Sequence, residues 1–136
     1  MMRRLDPLGP ALAVLGGAIF LLRGFDGVLS RDLALYAYAG QRVADGVPPY
    51  VGVMNRSGPL AHLVPGVGAW LGDRLGVDDL LTMRATMLVV SVLLVWATYV
   101  VARDVFGSRV VAAATALFMA TMPVIVLYAV GGPRDK

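Results

Sequence analysis

Long apolar runs without a charged residue alternate along this chain with short polar stretches. Four such runs cover residues 7–22, 57–72, 85–102 and 110–133. A helix needs roughly 20 mostly apolar residues to cross the hydrocarbon core of a bilayer. The last two runs meet that length alone, and the first two do so when flanking apolar residues are included. The pattern predicts an all-α integral membrane protein with about four transmembrane helices, near residues 7–25, 57–75, 80–102 and 110–132.

The long polar interval, residues 26–56, contains the pattern of one amphipathic helix. Its apolar side chains recur at helical spacing: Leu33, Tyr36, Ala37, Gly40, Val43 and Ala44. Ser30 is a suitable N-cap, and Gly46 followed by two prolines is suitable for ending the helix. We therefore predict a surface helix whose apolar stripe faces either the lipid interface or the other helices.

Small residues recur at every fourth position in three of the apolar runs. The three sets are Gly9, Ala13 and Gly17; Gly68, Gly72 and Gly76; and Ala112, Ala116 and Ala120. Each set lies on one helix face and allows a neighbouring backbone to approach closely, so we predict that they form packing seams. Tyr50, Trp70, Trp96 and Tyr99 are predicted to lie at the membrane–water interface.

Composition and charge agree with a membrane protein and exclude several other classes. Hydrophobic residues make up 58% of the chain and charged residues only 15%. The net charge of +3 is dispersed, so the chain lacks the basic patch of a nucleic-acid-binding protein. It has no cysteine, which excludes disulfides, thiolate metal sites and cysteine nucleophiles.

The location that follows from this pattern is a plasma membrane that the chain crosses several times. The 12 Lys and Arg residues divide equally between the two sides of the predicted topology. Only the Arg3–Arg4 pair favours a cytoplasmic N-terminus with the long loop outside. The first apolar run also has the length of a signal-peptide core, but no small-residue cleavage site follows it, which favours an uncleaved helix.

Asp32 is the first candidate for chemistry, because it lies in the first turn of the predicted surface helix. A carboxylate at a membrane surface can accept a proton from a hydroxyl group or bind a divalent cation. An Asp at this position can equally stabilise the helix dipole with no further role. Both interpretations stay open on spacing alone.

Arg56 and His62 are the other candidates. Arg56 precedes the second apolar run, where a guanidinium can bind a phosphate or anchor the helix among lipid headgroups. His62 is the only histidine and lies one turn inside that run, so its ring should face the interior. It can act there through structural hydrogen bonds or in catalysis.

In order along the chain, short motifs resemble the N-terminal part of membrane glycosyltransferases that use polyprenyl-phosphate sugars. The likeness is to the dolichyl-phosphate-mannose-protein mannosyltransferase type, which has the GT-C fold. The matching segments are Asp32 with Tyr36, residues 46–50, 57–60 and 70–72, Arg84, and residues 103–107. The position that is a lysine in the family holds Ser57 here, with Arg56 one residue earlier.

The resemblance implies an inverting transfer of a hexosyl group, such as mannose, from a lipid-linked phosphate to a hydroxyl group. The acceptor would be a protein, lipid or glycan on the extracytoplasmic side. Asp32 would be the general base, or a ligand of Mg²⁺ or Mn²⁺ in metal-dependent relatives, and no cofactor is otherwise implied. Tyr36, Arg56 and His62 would bind the substrate. Residues 1–136 would then be the N-terminal part of a longer enzyme and inactive alone.

Two further functional classes remain. The first is a small non-catalytic membrane protein whose surface helix mediates assembly with a larger partner. The second is half of a transporter, which is disfavoured because, apart from His62, the apolar runs 7–22, 57–72, 85–102 and 110–133 contain no charged or histidine side chain.

Overall fold

The fold is all-α in a computed structural model that describes residues 6–22, 29, 31–54 and 56–122. Its helices are α1 (Leu8–Leu21), α2 (Arg31–Ala44), α3 (Leu60–Leu75), α4 (Asp79–Phe106) and α5 (Arg109–Thr121). They form two compact units. The α2–α3 unit contains α2, α3 and the beginning of α4, and the α1–α5 unit contains α1, α5 and the remainder of α4.

The prediction of about four transmembrane helices is wrong. Among the described helices only α4, with 28 residues, is long and apolar enough to cross a membrane. At 1.5 Å per residue α4 extends about 42 Å, whereas the 14 residues of α1 extend only about 21 Å. The hydrocarbon core is about 30 Å thick. The described helices therefore do not support a chain that crosses the membrane several times.

Backbone signals at the helix ends explain why apolar runs overestimated the spans. α3 begins directly after Pro59 and ends at Leu75, because the next residue, Gly76, adopts a left-handed conformation with φ 66°. α5 ends at Thr121 because Met122 precedes a proline and takes an extended ψ of 122°. The predicted spans 7–25 and 110–132 also continue into residues outside the described ranges.

The helix predicted over residues 80–102 is confirmed as part of α4, which begins one residue earlier and ends four residues later. Its crossing of a membrane stays a prediction. Asp79 opens this helix, so Arg84 lies in its second turn and not at its start. α4 is longer than the apolar run of residues 85–102, because polar residues continue the helix at both of its ends.

The amphipathic helix predicted in the long loop is confirmed as α2. Its exposed positions include Arg31, Gln41 and Arg42, and the apolar stripe is buried or half-buried. The stripe packs on α3, which decides between the two environments that the sequence left open. The proposed cap, Ser30, lies outside the described residues.

Two glycines allow the close approaches inside the α2–α3 unit. A Cβ on Gly40 of α2 would lie 2.7 Å from the Cβ of Pro65 on α3. A Cβ on Gly68 would lie 2.5 Å from the Cα of Met83 on α4. Real Cβ atoms do not approach other carbons so closely, so these helices can pack as they do only because both positions are glycine.

The predicted small-residue seams are confirmed with one exception. The buried members are Gly9, Ala13, Gly17, Gly68, Gly72, Ala112, Ala116 and Ala120. Gly76 is the exception, because it ends α3 instead of packing on it. In the α1–α5 unit α1 packs on α5, and a Cβ on Gly16, which is outside the predicted seam, would lie 3.3 Å from that of Ala120. The seam residues Gly9 and Gly17 face α4 instead, where a Cβ would lie 2.8 Å from Tyr99 Cδ1 and 2.9 Å from Val92 Cγ2.

A hydrogen-bonded carboxylate joins three helices of the α1–α5 unit. Asp6, just before α1, accepts hydrogen bonds of 2.8 Å from the Tyr99 hydroxyl of α4 and from Arg109 Nε of α5. The Tyr99 hydrogen bond, followed by the backbone N–H of Leu8 and the Arg109 charge, lowers the pKa of Asp6. Tyr99 is buried, so its predicted place at the membrane–water interface is wrong.

Candidate functional site

A tyrosine–serine hydrogen bond joins α2 to the segment before α3. The hydroxyl of Tyr36 lies 2.6 Å from Oγ of Ser57, and either group can be the donor. The two residues are 21 positions apart, and both belong to the motifs that carry the glycosyltransferase resemblance. The chain between them therefore folds back so that these motifs meet.

Tyr50 joins the same group from the turn that follows Pro48 and Pro49. Its hydroxyl donates a 2.7 Å hydrogen bond to the carbonyl oxygen of Ser57, and its ring centre lies 4.9 Å from that of His62. Tyr50 is also the one described non-glycine residue with a positive φ, 69°. This conformation is unfavourable for a residue with a side chain, and the hydrogen bond and ring contact hold it in place.

Tyr36, Tyr50, Ser57 and His62 together form what we call the tyrosine–serine cluster. His62 is only 1% exposed, so its predicted inward orientation is confirmed. In this structure its ring supports Tyr50. A direct contact between His62 and a substrate stays a prediction.

Asp32 lies one helical turn before Tyr36 on α2. Residues four apart occupy the same helix face, so the carboxylate and the Tyr36 side chain are neighbours separated by an axial rise of about 6 Å. Asp32 is exposed and in the first turn of the helix, which makes the carboxylate accessible to a ligand. Arg56 is exposed and directly precedes Ser57 in the chain.

The described residues do not form a complete metal site. Across the described ranges, no three His or Asp side chains are grouped so that they could hold a metal ion. Among the described residues Asp32 is therefore not part of such a group. Proton acceptance, metal binding and stabilisation of the helix dipole all stay predictions for this carboxylate.

A polar pocket that the sequence pattern did not predict lies elsewhere in the α2–α3 unit. It has a volume of about 330 Å³ and is lined by Tyr38, Gln41, Arg42, Ala44, Asp45, Ala69, Asp73 and Asp79. Gln41 Nε2 donates to Asp79 Oδ2 at 3.5 Å, and Arg42 pairs with Asp45 at 3.4 Å. The polar residues on the outer side of α2 were the feature of the sequence that could have indicated this pocket. Their proximity to Asp73 and Asp79, however, depends on the turn after α3.

Comparison with protein-family models, curated proteins and solved structures finds no match to this chain.

Proposed function

We propose that this chain is the N-terminal part of a membrane glycosyltransferase that uses a polyprenyl-phosphate sugar. The acceptor is a hydroxyl group on the extracytoplasmic side of the cell membrane. Asp32 is the general base, Tyr36 and Arg56 contact the substrate, and His62 supports the site through Tyr50. The proposal rests on the resemblance together with the tyrosine–serine cluster.

One observation supports this proposal most directly. Tyr36 and Ser57 come from motifs that are separate in the sequence, and their hydroxyl groups lie 2.6 Å apart beside the turn that carries Asp32. An accessible carboxylate and fixed hydroxyl groups, with an exposed arginine next to Ser57 in the chain, are suited to a polyhydroxylated substrate that carries a phosphate.

The proposed reaction is a single displacement. Asp32 accepts the proton of the acceptor hydroxyl while the acceptor oxygen forms a bond to the anomeric carbon of the sugar. The bond between that carbon and the phosphate oxygen of the lipid breaks, and the lipid phosphate leaves with the electron pair. Arg56 offsets the negative charge that develops on the leaving phosphate.

A glycosyl-transfer assay in membranes tests the proposal. The assay uses a pool of labelled polyprenyl-phosphate sugars and compares the chain with any longer form that its gene encodes. Asp32→Asn in the active form should reduce transfer by about 10²- to 10⁴-fold, the range expected for the loss of a general base. Membrane levels and thermal unfolding of the variant should match those of the parent.

Asp45→Asn is the matched control, because Asp45 is also an exposed aspartate of the α2 region but lines the separate polar pocket. Transfer should be unchanged in this variant. Loss of transfer in Asp45→Asn with full activity in Asp32→Asn would instead locate the active site in the pocket. Equal activity of both variants would contradict a catalytic carboxylate on α2.

A non-catalytic assembly protein is the second candidate. The observation in its favour is the exposure of large apolar side chains on the described helices of the α1–α5 unit, including Val14, Val110 and Phe118. Partner helices could cover such surfaces as well as lipid does. Absence of transfer from every form, with the chain recovered in a stoichiometric complex, would favour this candidate.

A further inference from the structure

α3 has two opposite faces of different character. The packed face consists of His62, Pro65, Gly66, Gly68, Ala69 and Gly72. The opposite face carries Leu60, Leu63, Val67 and Trp70, which recur at spacings of three and four residues and continue to Arg74. The exposed fractions of the four apolar residues are 69%, 39%, 51% and 46%. We call these four residues the apolar stripe of α3.

This stripe is not the outer face of a helix in water. A helix on the surface of a soluble protein places charged and polar side chains opposite its packed face. Here the outer face has no charged residue until Arg74, and the stripe with Arg74 extends about 21 Å along the helix axis. A continuous apolar surface of this kind indicates a contact with a membrane or with another protein.

The end of the stripe favours a membrane. The Arg74 guanidinium carbon lies 5.0 Å from the centre of the Trp70 ring. Tryptophan is enriched at the level of lipid headgroups, and a guanidinium forms paired hydrogen bonds with a phosphate. Trp70 and Arg74 together therefore match the boundary between acyl chains and phosphates.

The short connection between α3 and α4 also places Trp70 and Arg74 close to the expected membrane surface. α3 ends at Leu75 and α4, the one described helix long enough to cross a membrane, begins at Asp79 in the same unit. The turn between them must lie near the membrane surface if α4 crosses it. Arg74 is then within about one helical turn of that surface.

We propose that the apolar stripe of α3 lies in the interface of a bilayer that contains anionic lipid. The leucine and valine side chains reach the acyl boundary, and Arg74 binds a lipid phosphate with Trp70 beneath its guanidinium. This role does not depend on glycosyl transfer. It gives the second apolar run a position along the membrane surface in place of the predicted crossing.

Fluorescence of Trp70 in the full chain tests the proposal. The chain has two tryptophans, so Trp96→Phe leaves Trp70 as the single reporter. The protein is reconstituted in phosphatidylcholine vesicles with increasing fractions of phosphatidylglycerol brominated near the headgroup end of its acyl chains. We expect strong quenching by this lipid, and weak quenching by aqueous iodide.

The Arg74→Gln variant tests the contact of Arg74 with a lipid phosphate separately from the burial of the apolar stripe in the bilayer. One cation near an anionic surface changes affinity about fivefold, so the fraction of brominated phosphatidylglycerol for half-maximal quenching should rise about fivefold. Arg31→Gln is the matched control, since Arg31 is an exposed arginine on α2, and it should leave that fraction unchanged. Val67→Asp, which puts a charge in the stripe, should reduce the maximal quenching.

Three results would overturn the proposal. Quenching of Trp70 by iodide but not by brominated lipid would show that the stripe faces water. Protection from both quenchers would show that protein covers it, either a partner or a second copy of the chain. Identical quenching of Trp70 in the Arg74→Gln variant and in the parent would show that Arg74 does not bind a lipid phosphate.

Discussion

The contact between Tyr36 and Ser57 is the residue-level feature on which the proposed site depends most. This hydrogen bond fixes the loop after α2 against the helix at a point just after the exposed Arg56. A side-chain hydrogen bond of this kind stabilises a folded arrangement by about 1 kcal/mol. Its loss should loosen the loop without unfolding the helices.

Tyr36→Phe should therefore make the bond after Arg56 more accessible to trypsin. A loss of about 1 kcal/mol corresponds to about a fivefold faster cleavage when local opening precedes cutting. Tyr38→Phe is the control, since Tyr38 is exposed and no hydrogen bond from its hydroxyl is seen among the described residues. Equal cleavage rates for both variants would show that the Tyr36 hydroxyl does not hold the loop.

Asp6 provides a residue-level prediction about pH. The Tyr99 hydrogen bond and the Arg109 charge lower its pKa in the folded state below the ordinary value of 3.8. A carboxyl group with a lowered folded-state pKa stabilises the fold above the unfolded-state value, and that stabilisation is lost as the pH falls through the folded-state pKa.

Asp6→Asn should consequently lower the melting temperature in detergent at pH 7. The difference from the parent should be constant down to about pH 5 and should shrink as the pH falls below 3.8. It should disappear only below the lowered folded-state pKa, where the carboxyl group of the folded parent is also protonated. Asp73→Asn, at an exposed carboxylate on α3, controls for a general charge effect. A difference that persists unchanged at pH 2 would contradict the role of the Asp6 charge.

At the scale of helices, the packing of α3 on the start of α4 depends on Gly68. A Cβ there would meet backbone atoms, with Met83 Cα at 2.5 Å and Met83 N at 2.9 Å. Backbone atoms of a helix cannot move aside as the end of a side chain can. The gain in helix propensity from alanine is therefore smaller than the cost of overpacking.

Gly68→Ala should reduce the free energy of unfolding by about 1–3 kcal/mol, measured by thermal or denaturant unfolding in detergent. Gly58→Ala is the matched control, because a Cβ at Gly58 would meet no atom within 4 Å. A Gly68→Ala variant as stable as Gly58→Ala would show that α3 and α4 can separate at no cost.

The contrast between α2 and α3 shows how much of the fold the sequence could predict. α2 was predictable because periodicity and a turn with glycine and two prolines mark it in one short segment. The length of α3 was not, because a run of apolar residues does not reveal that Pro59 and Gly76 are the helix limits. The tyrosine–serine cluster was missed because Tyr50 reaches Ser57 only through an unusual backbone conformation, φ 69°.

For the whole molecule, the decisive feature is the single described helix that is long enough to cross a membrane. Its most apolar window has a mean hydropathy of 2.2 and is only 17% buried, so most of this surface is available to lipid. A buried core helix of a soluble protein would have the opposite distribution. The two ends of α4 should therefore lie on opposite sides of the bilayer.

Cysteine labelling in sealed vesicles measures this directly, because the chain contains no cysteine of its own. Val77→Cys, just before α4, and Phe106→Cys, at its end, replace exposed residues and so should leave the packing intact. A membrane-impermeant maleimide should label one variant in intact vesicles and the other only after the vesicles are opened. Labelling of both variants from the same side would mean that α4 lies on the membrane or in a protein complex, since a helix of about 42 Å that crosses about 30 Å of hydrocarbon must separate its ends.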